Sequence, residues 1–178
     1  MKLSLFDAAQ SQAVIDLFEH VFTNSEGTDE GKVIRKLVTD LITSTDKNDL
    51  IGFTANAQNE VLGSIFFSRL SLTNNKTAFL LSPVAIATKQ QGKGLGQELI
   101  TYGIDHLKSL NIDLLFTYGD PNFYSKVGFQ QISESSIKAP HELSQPIGWL
   151  AQSLKDSPLN MTGWSSKCVA ALDDKKYW

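Results

Sequence analysis

The chain has 178 residues, enough for one domain with a sizeable core. Its apolar content of 42% and charged content of 20% are ordinary for a soluble globular protein, and a net charge of −3 spread without long blocks argues against a general nucleic-acid binder. The single Cys168 forbids an internal disulfide, offers no metal cluster and points to a reducing, cytoplasmic compartment.

The opening "MKLSLFDAAQSQ" has no apolar run of signal-peptide length, and no later run is long enough for a membrane span. From Asp7 to Phe22, apolar residues at Ala13, Val14, Leu17, Phe18 and Val21 fall at helical spacing, with Asp7 as N-cap. "TNSEGTDEG", Thr23 to Gly31, reads as a polar loop, and Val33 to Ile42 as a second helix. "LIGFTA", "NAQNE" and "VLGSIFFSRLSL" read as strand, turn and antiparallel strand. "TNNK" is a second turn and "TAFLLSPVAIA" a third strand.

A glycine-rich turn then leads into a helix that ends at Leu110, with Asn111 as a left-handed cap. "IDLLFTYG" is a short buried strand. "DPNFYSKVGF" opens a short helix, with Asp120 at the N-cap and Pro121 at the first helical position. The remainder holds loops, a helical turn at Trp149–Leu154 and a last strand around Ser165–Leu172. The order predicts one mixed α/β domain over residues 1–178, with a strand–helix–strand crossover that makes part of the sheet parallel.

Gln91-Gly92-Lys93-Gly94-Leu95-Gly96 packs three glycines into five positions. Glycine tolerates positive φ and lets a ligand approach the backbone. Successive amides at a helix start, helped by the helix dipole and by Lys93, suit a phosphate or pyrophosphate. A tight connection with no ligand would use the same residues. The spacing is neither a Walker loop, since Gly94 follows Lys93, nor the dinucleotide fingerprint G-x-G-x-x-G.

What residues 91–96 do match is Q-x-x-G-x-G, which resembles the acyl-CoA-binding motif of the GNAT acetyltransferase superfamily. "VLGSIFFS", with Gly63, is similar to that family's second-to-third strand region. "GDPNFYSKVGF" looks like the downstream segment of the YhbS-like bacterial N-acetyltransferases, roughly G-D-P-x-Y-Y-x-R-F-G-F. The resemblance implies the GNAT fold: a mixed central sheet with antiparallel N-terminal strands and a splayed parallel pair, flanked by helices. It also implies acetyl-CoA as co-substrate, with no metal. The amides of Gln91, Gly92, Lys93, Gly94, Leu95 and Gly96 would hold its pyrophosphate. The backbone of Val84, Ala85 and Ile86 would pair with the pantetheine arm, and Pro83 suits the strand irregularity this needs.

By the same resemblance Tyr124 falls on the tyrosine that points at the CoA sulfur, and a phenol of pKa about 10 is a proton donor for a departing thiolate. A packed tyrosine bonded to backbone is the competing reading. Asn122 would bond the pantetheine arm or stand as a solvated first-turn residue, and Phe123 would pack. Asp120 reads first as a cap. Lys126 and Val127 replace an arginine and a phenylalanine of the subgroup, and lysine is no bidentate substitute.

"LLSPVAIA" carries no carboxylate. The base would therefore be water or an acid of the Thr23–Gly31 loop, Glu26, Asp29 or Glu30. His20, His106 and His141 show no ligand-like spacing. Trp149, Trp164, Tyr177 and Trp178 read as core rather than an acceptor wall. The function implied is acetyl transfer from CoA to a primary amine, on a small molecule, a protein lysine or a protein N-terminus. No nucleic acid or membrane is implied, and the chain would be a monomer or homodimer. A non-catalytic acyl-CoA sensor of the same fold is the alternative.

Overall fold

The computed structural model describes residues 1–160 and 162–178. In chain order its elements are β1 (Lys2–Leu5), α1 (Ser11–Glu26), α2 (Thr28–Ser44), β2 (Leu50–Ala57), β3 (Glu60–Arg69), β4 (Ser71–Leu72) and β5 (Ala78–Ile86). They continue with α3 (Leu95–Ser109), β6 (Leu114–Tyr118), α4 (Pro121–Tyr124), β7 (Gln130–Gln131), β8 (Ile137–Lys138), β9 (Trp149–Ser153) and β10 (Trp164–Lys167). One mixed sheet runs in the order β1-β2-β3-β5-β6-β9-β7, and β4-β10-β8 forms a smaller one. The chain divides into two units, Met1–Phe67 with Pro83–Gly103 and Ser68–Ser82 with Ile104–Trp178, and β3, β5 and α3 each contribute residues to both.

In the first unit Asp7 caps a 3-10 turn at Ala8–Gln10 that leads into α1, its carboxylate accepting from Ala9 N–H at 2.8 Å. The helical spacing buries Val14, Phe18 and Val21 of α1 and Ile34, Leu37, Val38 and Leu41 of α2. Phe18 lies against Phe66 of β3 at 6.1 Å between ring centres. The polar loop expected at Thr23–Gly31 is only Gly27, at φ 103°; α1 continues through Glu26 and α2 starts at Thr28. Asp29 and Glu30 occupy the first turn of α2, where the helix dipole stabilises carboxylates, so these acids serve the helix start.

Sequence reasoning missed β1, a four-residue strand at the sheet edge, paired antiparallel with β2 from Lys2↔Asn56 to Leu5↔Phe53. The β2–β3 turn has Gln58 and Asn59 at φ 50° and 63°, the two positive values of a type I′ hairpin.

In the second unit β5 runs parallel to β6 from Ala78↔Leu114 to Leu81↔Thr117. β9 runs antiparallel to β6 from Leu114↔Ser153 to Tyr118↔Trp149. Residues 149–153 are therefore strand and not the helical turn expected: the run is too short for its periodicity to decide, and β6 and β7 supply ladder partners on both sides. The last strand stops at Lys167, and Ala170–Leu172 is a 3-10 turn. Asn111, at φ 63°, ends α3 in the left-handed conformation expected of it.

Of the four C-terminal aromatics, Trp149 and Trp178 are core, and Trp164 and Tyr177 are half-open. Trp149 is 0% exposed, stacks on Phe116 at 5.3 Å and donates from Nε1 to Ile137 O at 2.9 Å. Trp178 is buried at 6.1 Å from Trp149 and donates to Leu172 O at 3.0 Å. No helix among the described residues is long and apolar enough to cross a membrane.

Asp113 sets the entry to the parallel pair. Its carboxylate accepts from Thr77 N–H at 2.8 Å and Thr77 Oγ1 at 2.9 Å, with Lys76 Nζ at 4.0 Å. The Thr77 amide, ahead of the Thr77 hydroxyl and Lys76, holds its pKa below the ordinary 3.8, against a smaller desolvation penalty. A depressed folded pKa gives stability that is present above the ordinary carboxylate range and lost as pH falls through the folded value. Asp113→Asn is therefore expected to cost about 1 kcal/mol at neutral pH. Denaturant midpoints of the two proteins should converge as the pH is lowered below 3.8.

Candidate active site

The second half of β5 differs from the first in burial and in phase. Ala78–Leu81, paired with β6, are all buried. From Ser82 the pattern alternates, with Ser82, Val84 and Ile86 half-open and Pro83 and Ala85 buried. The β5–β6 register ends at Leu81↔Thr117, so the alternation begins where the ladder stops.

Hydrogen bonds along β5 show the change of phase. Ala78 O accepts from Leu70 N–H at 3.0 Å, on the β3 side. Leu81 turns its carbonyl to β6, where Thr117 Oγ1 donates at 2.9 Å. In an unbroken strand the sides alternate residue by residue, so Ala87 would face the same way as Leu81. Instead Ala87 N–H donates to Leu62 O of β3 at 2.9 Å. The strand has slipped by one residue, as at a β-bulge, and Pro83, which cannot donate to a ladder, lies in the interval. Ile86, next to Ala87, therefore turns its amide group away from β3.

Beyond β5 comes a 3-10 turn at Thr88–Gln90 and then the glycine turn. Gly92 and Gly94 have φ of 73° and 84°, and a Cβ built on either would meet nothing within 4 Å. Glycine is needed there for backbone conformation rather than for room, and the space beside both residues is open. Gln91 Nε2 donates to Ile86 O at 3.0 Å, tying the turn to the end of β5. Lys93 Nζ folds back onto Lys89 O at 2.7 Å, while Lys89 Nζ holds both Glu60 oxygens at 2.8 and 2.7 Å. Glu98 N–H bonds Gly94 O at 3.0 Å. Helix geometry leaves the amides of Leu95, Gly96 and Gln97, in the preceding turn, without intrahelical acceptors. The residues expected to form an anion cradle are thus together in the first unit, on an open face at a helix start.

Tyr124 sits at the end of α4 in the second unit. Asp120 caps that helix, accepting from Asn122 N–H at 2.9 Å, with Pro121 behind it. The Asp120 carboxylate is therefore engaged as a cap, and the Asn122 side chain is exposed. The Tyr124 ring lies over Gly119, where a Cβ would meet Cε2 at 2.6 Å, and makes edge contacts with Phe123 at 5.0 Å and Phe129 at 5.7 Å.

The Tyr124 hydroxyl lies beside the Thr117 side chain. Thr117 is fully buried, and its hydroxyl donates to Leu81 O at 2.9 Å. Burial raises the phenol's pKa above 10; the neighbouring Thr117 hydroxyl opposes this, and the Asp120 charge adds to it. The phenol is a protonated donor at neutral pH. Thr117 escaped the sequence reading, although a hydroxyl at the end of the apolar run "LLFT" was its signal.

Other candidates fall elsewhere. His20 bonds the Asn24 amide at 2.9 Å on α1, and Lys126 is exposed. His141 and Cys168, far apart in sequence, meet Asp173 in the second unit, with one ligand-type atom from each within 4.8 Å of the others. Linear spacing gave no sign of that cluster.

The model of the acetyltransferase (GNAT) family matches residues 12–129. The uncharacterized N-acetyltransferase YjhQ of Escherichia coli K12 is 26% identical over 133 residues, which cover 71% of this chain and 74% of YjhQ. The uncharacterized N-acetyltransferase YhbS of the same strain is 29% identical over 82 residues, 46% of this chain and 49% of YhbS. Among solved structures, E. coli YhbS in complex with CoA superposes with a TM-score of 0.80 at 21% identity, covering 97% of this chain and 92% of that one. A GNAT acetyltransferase from Brucella melitensis in complex with acetyl-CoA gives 0.71 at 20% identity, covering 97% of each chain. The mixed sheet with its flanking helices is the GNAT fold, and the chain belongs to the GNAT acetyltransferase family.

Proposed function

We propose that this chain is an acetyl-CoA-dependent N-acetyltransferase acting on a primary amine, with residues 1–178 working as one catalytic domain. The observation that carries the reading is the open glycine turn at the head of α3, joined by Gln91 to a strand that has already left its parallel partner. The amides of Gln91–Gly96 would receive the diphosphate, and those of Val84–Ile86 would pair with the pantetheine arm. Ile86 O already accepts from Gln91 Nε2 and keeps one lone pair for that arm. Asn122 would bond the same arm.

An unperturbed lysine-type amine has pKa about 10.4, so roughly one in a few thousand is neutral at pH 7. The neutral nitrogen attacks the thioester carbonyl, the C–S bond breaks, and the ammonium proton passes to water. Tyr124 donates to the departing thiolate and recovers its proton from solvent. A thiol has pKa about 8.5, below that of this phenol. The phenol therefore stabilises the developing charge by a hydrogen bond and transfers its proton only as the tyrosinate is refilled. The acceptor class would be an amine-bearing small molecule, a protein lysine or a protein N-terminus, and the site of action the cytoplasm.

The second reading is a CoA-binding sensor without turnover. It is favoured by the absence of any carboxylate from Ala78–Ile86 and by Lys126-Val127 in place of the subgroup's pair. Release of free CoA thiol from acetyl-CoA across a panel of small amines, polyamines and lysine peptides separates the two. Amine-dependent release is expected. Tight CoA binding with no release from any acceptor would favour the sensor.

A further inference from the structure

We propose that His141, Cys168 and Asp173 form a binding site for a divalent transition cation of the zinc class, outside the acetyl-transfer machinery. One ligand-type atom from each of the three lies within 4.8 Å of the others. His141 Nε2 and Asp173 Oδ1 are already 2.7 Å apart. Imidazole nitrogen, thiolate sulfur and carboxylate oxygen are the donor set that tetrahedral zinc takes, at about 2.0–2.3 Å, with the fourth position left to water. Tetrahedral bonds of that length put ligand atoms roughly 3.4–3.8 Å apart. Filling the site asks the ligand atoms to settle by about an ångström, with the His–Asp pair opening slightly.

The three residues sit on supports that hold them near one another. The His141 ring lies against Trp178, 6.3 Å between centres, and the buried Trp178 is tied to Leu172 O. Cys168 directly follows β10, and Asp173 closes the Ala170–Leu172 turn through its N–H to Ala170 O. His141 and Cys168 are half-buried and Asp173 is exposed, so an ion can enter from solvent past Asp173.

The thiol as it stands is a poor nucleophile, pushed up to about 11 by burial first and by the Asp173 charge second. A cation reverses that logic: the S–metal bond forms, the thiol proton leaves to solvent, and the imidazole hydrogen moves to Nδ1 as Nε2 binds. The site joins the His141 loop to the C-terminal segment, so the ion acts as a clasp. Acetyl transfer needs no metal, and turnover should not depend on it.

Because Cys168 is the only cysteine, its reactivity reports on the site without interference. The full chain, freed of metal by chelator dialysis, is titrated with zinc ions against a chromophoric chelator, and thiol alkylation is followed at fixed pH with and without zinc. One equivalent of zinc is expected to bind, to change the alkylation rate of the wild-type thiol at least about tenfold at fixed pH, and to raise the Tm. Cys168→Ser, His141→Ala and Asp173→Asn should each weaken binding by about tenfold or more. With cobalt in place of zinc, a thiolate charge-transfer band should appear in the wild type and vanish in Cys168→Ser. Unchanged thiol reactivity in the presence of bound zinc, or equal zinc affinity in wild type and Cys168→Ser, overturns the proposal. The thiol measurement uses the wild type alone, so a variant that misfolds leaves the test intact.

Discussion

Replacing Tyr124 with phenylalanine is expected to lower kcat for acetyl transfer by about 100-fold or more, while the Kd for CoA changes by no more than about twofold. The ring makes its contacts with Gly119, Phe123 and Phe129 through carbon, and phenylalanine keeps them. What is lost is the hydroxyl that would face the departing sulfur. A binding role would move Kd and kcat/KM together; a donor used only as the C–S bond breaks moves kcat. The raised phenol pKa adds a pH signature. Wild-type activity should keep its donor to beyond pH 10 and fall only as the phenol ionises, and the variant should lack that limb. Equal kcat in the two proteins would remove Tyr124 from the chemistry.

Trp149→Ala is expected to cost about 3–5 kcal/mol of folding stability. The indole is fully buried between Phe116 and Trp178, and its N–H satisfies Ile137 O. Truncation leaves a cavity and a carbonyl with one donor fewer, and both effects destabilise. A domain of this kind has roughly 5–15 kcal/mol in total, so the variant should lose a large part of it, with a Tm lower by on the order of 10 °C. Denaturant unfolding measures the loss. A cost below about 1 kcal/mol would mean that the aromatic group does not act as core.

Much of the fold was legible because its signals are local. The helical spacing of Val14–Phe18–Val21 and Leu37–Val38–Leu41, the Asp120-Pro121 cap and the left-handed Asn111 all come from a few neighbouring residues. The glycine turn was legible for the same reason, since φ at Gly92 and Gly94 follows from residue type. What failed needed partners distant in sequence. β1 exists because β2 offers it a ladder, and residues 149–153 are strand because β6 and β7 flank them. The Thr23–Gly31 loop was misjudged because its acids read as solvated, although two of them stabilise a helix start. The slip in β5 and the bond from Thr117 to Leu81 are hydrogen-bond patterns that no linear motif encodes. The same holds for His141, Cys168 and Asp173.

The most direct measurement is an amide-resolved NMR titration of the full chain with acetyl-CoA and, separately, with S-acetylpantetheine, which lacks the diphosphate. Acetyl-CoA should shift the amides of Gly92, Lys93, Gly94, Leu95 and Gly96 strongly and bind at least about 100-fold tighter than the truncated ligand, which should leave those amides near their free positions. Acetyl-CoA binding that leaves residues 92–96 unmoved, or equal affinity for the two ligands, would contradict the assignment of this turn as the diphosphate site.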